Sequence, residues 1–281
     1  MDTSLKDNRH VRKTKEDVKP WIRRIGRIGY MAKGIVYFLV GILTFMAVLG
    51  IGGKTTGTSG MFQSLAGVKF GEWLLWMIGI GLIGYICWVL VEAFFDPQNN
   101  GLDPKGLIMR TGYVVSGVVY GSLAYQAIQI AMHAGSGGGD SKKTISAQIM
   151  SQPLGEWIIG AVGVIIIGYG LYEFFGGITG KFMKKLWTKD MEKKEVNTAK
   201  TAGKYGLAAR GIVLGIIGFF FIQTALTSDP DEAKGLDGAL SELSQQPYGR
   251  WILGIIAVGL ILYGVYQIVR GRYMRMNFGR K

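Results

Sequence analysis

Six stretches of the chain consist almost entirely of apolar residues and glycine, and polar connections separate them. They run over 28–49, 72–95, 110–132, 156–175, 206–226 and 250–269. Each provides the roughly 20 residues that an α-helix needs to cross a bilayer core of about 30 Å. The pattern therefore predicts an all-α, polytopic membrane protein with six transmembrane helices.

These stretches are three copies of one two-helix unit. The odd ones begin with a basic residue before a glycine and a second glycine five residues later: RIGYMAKG (27–34), RTGYVVSG (110–117) and KYGLAARG (204–211). The even ones begin with GEW (71–73), GEW (155–157) and GRW (249–251), and Tyr85, Tyr169 and Tyr263 follow twelve residues after the tryptophan. A unit with two spans returns the chain to its starting side, so the copies are parallel.

This register predicts the domain boundaries. The repeats occupy 22–106, 107–202 and 203–273, and the second includes a basic loop. A basic arm over 1–21 precedes them and a basic tail over 274–281 follows.

The connection inside each repeat carries apolar residues three apart, such as Phe62 and Leu65 or Leu240 and Leu243. This spacing predicts a short amphipathic helix at the outer interface, ended in two copies by Pro153 or Pro247. The tryptophans that follow, Trp73, Trp157 and Trp251, are placed as interfacial anchors, where an indole keeps its N–H in the headgroup layer.

Charge indicates the orientation. The net charge is +13, and most Lys and Arg lie in the arm, in the connection over 176–205 and in the tail, with two more in 93–111. By the positive-inside rule, both termini are expected in the cytoplasm. The arm is longer than a signal-peptide n-region, so the first span is expected to remain as an anchor. The basic face could attract anionic lipids, and the charge needs no nucleic acid to explain it.

The repeat motifs carry a resemblance. G-Y-x-x-x-G-x-V-Y at Gly112–Tyr120, its relative at Gly29–Tyr37, P-x-G-x-W at Pro153–Trp157 and G-Y-x-x-Y-E at Gly168–Glu173 resemble the bacterial membrane family known as domain of unknown function 1206. The third copy departs from the pattern, with Leu207 and Leu214 at the tyrosine positions. The resemblance implies a prokaryotic integral membrane protein built from three two-helix repeats, and it implies no activity.

Cofactor and metal chemistry find little support in the sequence. Cys87 is the single cysteine, and the two histidines, His10 and His133, lie far apart along the chain. GIGLIG at 79–84 has G-x-G-x-x-G spacing, but it falls in mid-span, where a dinucleotide fingerprint needs a preceding strand. We therefore expect no cofactor, no metal and no enzymatic activity.

Glycine spacing instead favours helix packing, because small residues let two backbones approach closely. The glycines placed in this role are Gly34, Gly117, Gly121, Gly211 and Gly215.

Lys33 lies inside the first span, and the repeat aligns it with Ser116 and Arg210. Because even spans run in the opposite direction, Glu173 and its counterpart Gln267 approach the same depth, and Glu92 lies near its mouth. Ionisable groups inside a membrane normally face partners or water. Either Lys33 and Arg210 turn inward to Glu173 or Glu92, or they snorkel to the headgroups.

Two classes of function remain open. One is a non-catalytic scaffold or accessory subunit, which holds a membrane protein partner or lipids. The other is a small transporter or channel built around a pseudo-threefold axis. Known transporter folds commonly show broken helices and polar sites at the midplane. The midplane residues here are apolar or glycine, which favours the scaffold over the transporter. A membrane enzyme is the third alternative.

Overall fold

The computed structural model describes residues 3–51, 57–95, 104–132, 155–228 and 236–274. Within these ranges the chain forms eight α-helices: α1 (Thr3–Leu49), α2 (Thr58–Ala66), α3 (Gly71–Phe95), α4 (Pro104–Met132), α5 (Gly155–Ile178), α6 (Lys193–Thr227), α7 (Leu236–Gln245) and α8 (Gly249–Tyr273). Two short 3-10 helices, Lys181–Lys185 and Thr188–Asp190, connect α5 to α6.

Among the described residues, six helices are long and apolar enough to span a bilayer, namely α1, α3, α4, α5, α6 and α8. The prediction of an all-α protein with six spans is confirmed. Two helices start earlier than the apolar pattern: α1 runs through the basic arm, and α6 begins at Lys193. The start of α6 is fixed by a capping box, in which Glu192 and Glu195 each bond the other's backbone N–H.

The spanning helices are arranged as a ring with one opening. Proceeding around it, α4 packs on α3, α3 on α1, α1 on α8, α8 on α6, and α6 on α5. Each neighbouring pair is antiparallel, as the repeat requires. We call the end where α1 enters and α8 leaves the bundle the basic end, and the opposite end the capped end.

Glycine contacts bring the helices of this ring together. A Cβ on Gly34 of α1 would lie 2.7 Å from the carbonyl oxygen of Gly264 of α8, so the two backbones touch at that crossing. The same contact recurs between α6 and α5, where a Cβ on Gly211 would lie 2.6 Å from the carbonyl oxygen of Gly170. Neither crossing leaves room for a larger side chain.

The opening lies between α4 and α5, the two spanning helices of the second repeat, which do not pack along their described lengths. In the first repeat Ala32 meets Gly81 where α1 crosses α3, and in the third Ala209 meets Gly259 where α6 crosses α8. The corresponding residues of the second repeat are Val115 and Ile165.

Those bulkier side chains prevent the close approach that alanine and glycine allow elsewhere. Side-chain exposure records the difference: Val36 and Val213 are 0% and 2% exposed, whereas their counterpart Val119 is 50% exposed. We call this opening, bounded by Gly112, Val115 and Val119 of α4 and Ile165 and Tyr169 of α5, the α4/α5 gap.

The short helices cover the capped end of the bundle. Phe62 of α2 and Leu240 of α7 are fully buried in the main hydrophobic core, so these helices pack on the bundle. Their predicted place at the outer membrane interface stays a prediction. The corresponding segment of the second repeat, near 145–153, lies outside the described residues.

One turn is repeated before α3 and α8. Phe70 and Tyr248 both adopt a left-handed backbone, with φ of 67° and 61°. Each precedes a glycine, Gly71 or Gly249, whose added Cβ would strike the carbonyl oxygen of Leu65 or Leu243. The glycine of the repeated G-x-W motif therefore allows the short helix to fold back tightly onto the span.

Candidate functional site

Lys33 projects into the interior of the ring, where its side chain is only 3% exposed. Its Nζ donates to the hydroxyl of Tyr85 at 3.0 Å. It also lies 4.5 Å from the ring centre of Tyr120 and 5.9 Å from that of Tyr263. Three helices other than its own thus surround the ammonium group with aromatic faces, an arrangement that stabilises a desolvated cation.

Arg210 lies in the same interior and forms an ion pair with Glu173. Its Nε donates to the hydroxyl of Tyr37 at 3.3 Å, and Tyr37 in turn accepts a bond of 3.1 Å from Tyr120. Because the Tyr120 ring also covers Lys33, one chain of contacts connects the two buried cations.

A third cation, Arg270 near the end of α8, extends the network to the basic end. Its guanidinium lies 4.4 Å from the ring centre of Tyr30 and donates to that hydroxyl at 3.2 Å. Tyr30 donates onward to Glu92 at 3.5 Å. We call the whole assembly the tyrosine–cation cluster; it comprises Tyr30, Lys33, Tyr37, Tyr85, Glu92, Tyr120, Tyr169, Glu173, Arg210, Tyr263 and Arg270.

The structure brings most of the predicted intramembrane residues together, but with a different pairing for Lys33. Arg210 meets Glu173, whereas no carboxylate of the described chain lies within 4.0 Å of the Lys33 ammonium group. Gln267 donates to the Tyr263 hydroxyl, beside the cluster. Ser116 is half-buried on α4, so the second repeat carries no charge at the position of Lys33 and Arg210.

Two acceptors in this region have no hydrogen-bond partner among the described residues, Glu173 Oε2 and Gln267 Oε1. Both lie in buried side chains, on α5 and α8. Such groups normally find a partner when they leave water. The cluster therefore retains hydrogen-bonding capacity on α5 and α8.

The sequence interpretation did not include the tyrosines among the site residues, although they form most of the contacts to the buried cations. Tyr85 and Tyr263 are at the repeated position twelve residues after the tryptophan, and Tyr37 and Tyr120 share the end of the repeated odd-span motif. The signal was their recurrence at one depth beside two cations. Arg270 was also missed, because it was counted only as a basic residue at the end of the last span.

The predicted tryptophan anchors all project from the bundle surface. Trp73, Trp157 and Trp251 are each exposed at the start of α3, α5 or α8. Their place in the headgroup layer stays a prediction.

The predicted packing glycines divide into two kinds. Gly34 and Gly211 lie at backbone contacts, as described above. A Cβ on Gly117 or Gly121 would make ordinary contacts at 3.6 and 3.9 Å, and one on Gly215 would meet nothing within 4 Å.

The tyrosine–cation cluster surrounds positively charged side chains with tyrosine rings. Lys33 and Arg210 are almost completely buried. Within the described part of the chain, no three His, Cys, Asp or Glu residues are grouped so that they could hold a metal ion. The geometry favours an electrostatic and structural role for these side chains.

Comparison with known proteins agrees with this architecture. The chain is 42% identical over 275 residues to the Uncharacterized protein YxxB of Bacillus subtilis (strain 168), an alignment that covers 98% of this chain and 99% of that protein. No solved structure matches. The family described as Domain of Unknown Function (DUF1206) matches three segments, 28–96, 111–180 and 205–274, which correspond to the three helical hairpins. The chain therefore belongs to the DUF1206 family of multi-pass membrane proteins.

Proposed function

We propose that the protein is a non-catalytic accessory subunit of a membrane complex, and that a transmembrane helix of its partner occupies the α4/α5 gap. The observation that carries the proposal is that α4 and α5 do not pack on each other along their described lengths, in a ring whose other neighbouring helices all pack. Among the described residues, the gap leaves helix surface uncovered in the second repeat.

The surface inside the gap has the features of a helix-packing face. Gly112 and Ser116 on α4 are four residues apart, the small-xxx-small spacing at which transmembrane helices approach closely. A Cβ on Gly112 would meet nothing within 4 Å, whereas the equivalent Gly29 and Gly206 contact the backbone of α3 and α8. A Cβ on Gly168 of α5 would also meet nothing within 4 Å.

These contrasts favour a helix over lipid as the occupant. Flexible acyl chains adapt to any apolar surface and gain little from exposed glycine. A rigid helix gains close van der Waals contact there, which is the main force between helices in a bilayer.

The same proposal places the protein in the bacterial cytoplasmic membrane with both termini in the cytoplasm. The support is the concentration of Lys and Arg in the arm, in the α5–α6 connection and in the tail.

A transporter is less well supported, because transport needs an aqueous path to a central polar site. Tyrosine rings pack against Lys33 on several sides, at 4.5 and 4.7 Å from Tyr120 and Tyr85. The spanning helices also run without a break through the described part of the bundle.

The test is in-cell photo-crosslinking, with a photoreactive amino acid at Val119 or Ile165 in the gap. Matched positions are Ile80 and Ile255, which are equally apolar and exposed on other faces of the bundle. We expect one discrete protein adduct from the gap positions and only lipid adducts from the controls. Equal adduct patterns from both sets would overturn the proposal.

A second variant separates a true partner from chance capture. Val115→Ala with Ile165→Gly recreates the alanine and glycine pair of the other repeats and allows α4 and α5 to close. With the photoreactive residue at Val119, this variant should lose the adduct while keeping wild-type expression. An adduct that persists at wild-type yield would show that the gap does not hold the partner.

A further inference from the structure

A second site lies at the basic end, away from the α4/α5 gap. A cleft of about 1010 Å³ is lined by residues of the second 3-10 helix, of the first turns of α6, and of α8. We propose that this cleft binds the phosphate and upper acyl region of an anionic phospholipid.

The polar part of the cleft is basic. Lys193, Lys194 and Lys200 line it together with threonines and Asn197, and none of the described lining residues carries a carboxylate. All three lysines are exposed. No described side chain forms an ion pair with any of the three, so their ammonium groups are available to a ligand.

The acidic residues nearest in sequence are occupied elsewhere. Glu195 accepts a hydrogen bond of 2.6 Å from the Tyr273 hydroxyl and one of 2.9 Å from the backbone N–H of Glu192. Glu192 caps α6 in the reciprocal contact of the capping box. These bonds direct both carboxylates to the helix start and to α8, and neither of them forms an ion pair with a lysine of the cleft among the described residues.

The rest of the lining is apolar and belongs to spanning helices. Ala202 of α6 and Leu262 and Val265 of α8 lie beside the point where Gly206 crosses Tyr263. From Ala202 to Lys193 the helix rises about 14 Å, at 1.5 Å per residue. That length exceeds the roughly 5–8 Å of one headgroup layer, so a single ligand in the cleft can touch acyl depth and phosphate depth together.

The walls of the cleft are held in place before any ligand arrives. Leu186 is fully buried and forms a β-bridge with Met274, and the backbone N–H of Trp187 donates to the Tyr273 carbonyl at 2.8 Å. Phe182 packs edge to face on Tyr266. The α5–α6 connection is therefore a folded platform, which distinguishes it from a solvated basic loop.

The shared chemistry of the ligand is a phosphate ester, and the mixed lining selects the lipid over a soluble phosphate. A soluble phosphate would use the lysines alone. A phospholipid also covers Leu262 and Val265, which gives specificity for an amphiphile.

The experiment measures lipid binding to the full-length protein in detergent by native mass spectrometry. The probes are dioleoyl phosphatidylglycerol, dioleoyl phosphatidylcholine and inorganic phosphate. The test variant is Lys193→Gln/Lys194→Gln/Lys200→Gln. The matched control is Lys181→Gln/Lys184→Gln/Lys204→Gln, which removes the same charge from exposed lysines outside the cleft.

We expect the wild type to retain phosphatidylglycerol in preference to phosphatidylcholine. The test variant should weaken that binding about a hundredfold, since each basic residue near a headgroup contributes roughly a fivefold gain. The control should stay within about threefold of wild type.

Three results would overturn the inference. Equal losses in both variants would indicate a general basic surface. Equal retention of the two lipids would remove the role of anionic charge. Displacement of phosphatidylglycerol by millimolar inorganic phosphate would indicate a site for soluble phosphate, without use of the apolar lining.

Discussion

Arg210 of α6 and Glu173 of α5 form an ion pair inside the ring, with side chains 6% and 8% exposed. The pair joins the second and third repeats at the depth where the first repeat places Lys33. Burying two charges is costly, and the loss of one partner leaves the other uncompensated.

Glu173→Gln should therefore destabilise the protein by about 3–5 kcal/mol, the usual effect of breaking a buried pair. The loss of stability is measured by heating the protein in detergent and determining the folded fraction that remains by size-exclusion chromatography. Glu72→Gln is the control, because Glu72 is an exposed carboxylate at the opposite end of a spanning helix.

A compensating change sharpens this prediction. Arg210→Met in the Glu173→Gln background should recover part of the lost stability, because the charge that needed a partner has gone. Strictly additive effects would show that the two side chains do not depend on each other.

Gly34→Ala should destabilise the crossing of α1 and α8. The new methyl group would lie 2.7 Å from the Gly264 carbonyl and 2.8 Å from the Ile268 side chain. Overpacking of this kind costs about 1–3 kcal/mol.

The matched control is Gly215→Ala, where a Cβ meets nothing within 4 Å. It should be neutral or stabilising by up to about 1 kcal/mol, because alanine favours a helix over glycine. Equal thermal stabilities for the two variants would contradict the crossing geometry.

The spans and the repeat could be predicted from the sequence because both rest on long, strong signals. A segment of about twenty apolar residues forms few structures other than a transmembrane helix. A motif register that is kept through three copies does not arise from chance similarity of short segments. The gap could not be predicted in the same way. A threefold repeat favours a closed ring, and the substitution of Val115 and Ile165 for alanine and glycine gains meaning only once the crossing point is known.

The direction of Lys33 also needed the structure. Snorkelling and inward burial both satisfy a lysine near the end of a span. The choice depends on the rotation of α1, which brings Tyr85 and Tyr120 around the ammonium group. The pairing of Arg210 with Glu173, in contrast, was one of the contacts that the sequence predicted, because the repeat places both residues at the same depth in the bundle.

Membrane topology can be checked with single cysteines in a Cys87→Ala background. Cysteines at Ser64 and Ser244 lie at the capped end, and those at Lys181 and Asp190 lie at the basic end, all at exposed positions. By the positive-inside rule, an impermeant maleimide added to intact spheroplasts should label the first pair and spare the second until the membrane is opened. The reverse labelling would invert the proposed orientation, and labelling of one member of each pair would contradict the ring.

The last prediction concerns how Lys33 is held without a carboxylate. Tyr85→Phe keeps the aromatic face and removes only the hydroxyl that accepts from Lys33 Nζ at 3.0 Å. Hydrogen bonds to charged groups contribute about 1.5–3 kcal/mol, so Tyr85→Phe should cost that much, and the cost should vanish when Lys33→Met is already present.

Tyr120→Phe is the internal control, because its ring also covers Lys33 while its hydroxyl bonds to Tyr37. In double-mutant cycles on thermal stability, we expect strong coupling of Lys33 to the Tyr85 hydroxyl and weak coupling to the Tyr120 hydroxyl. If Lys33 snorkels to the headgroups, neither hydroxyl will couple to it. That result would refute the burial of Lys33 at the centre of the cluster.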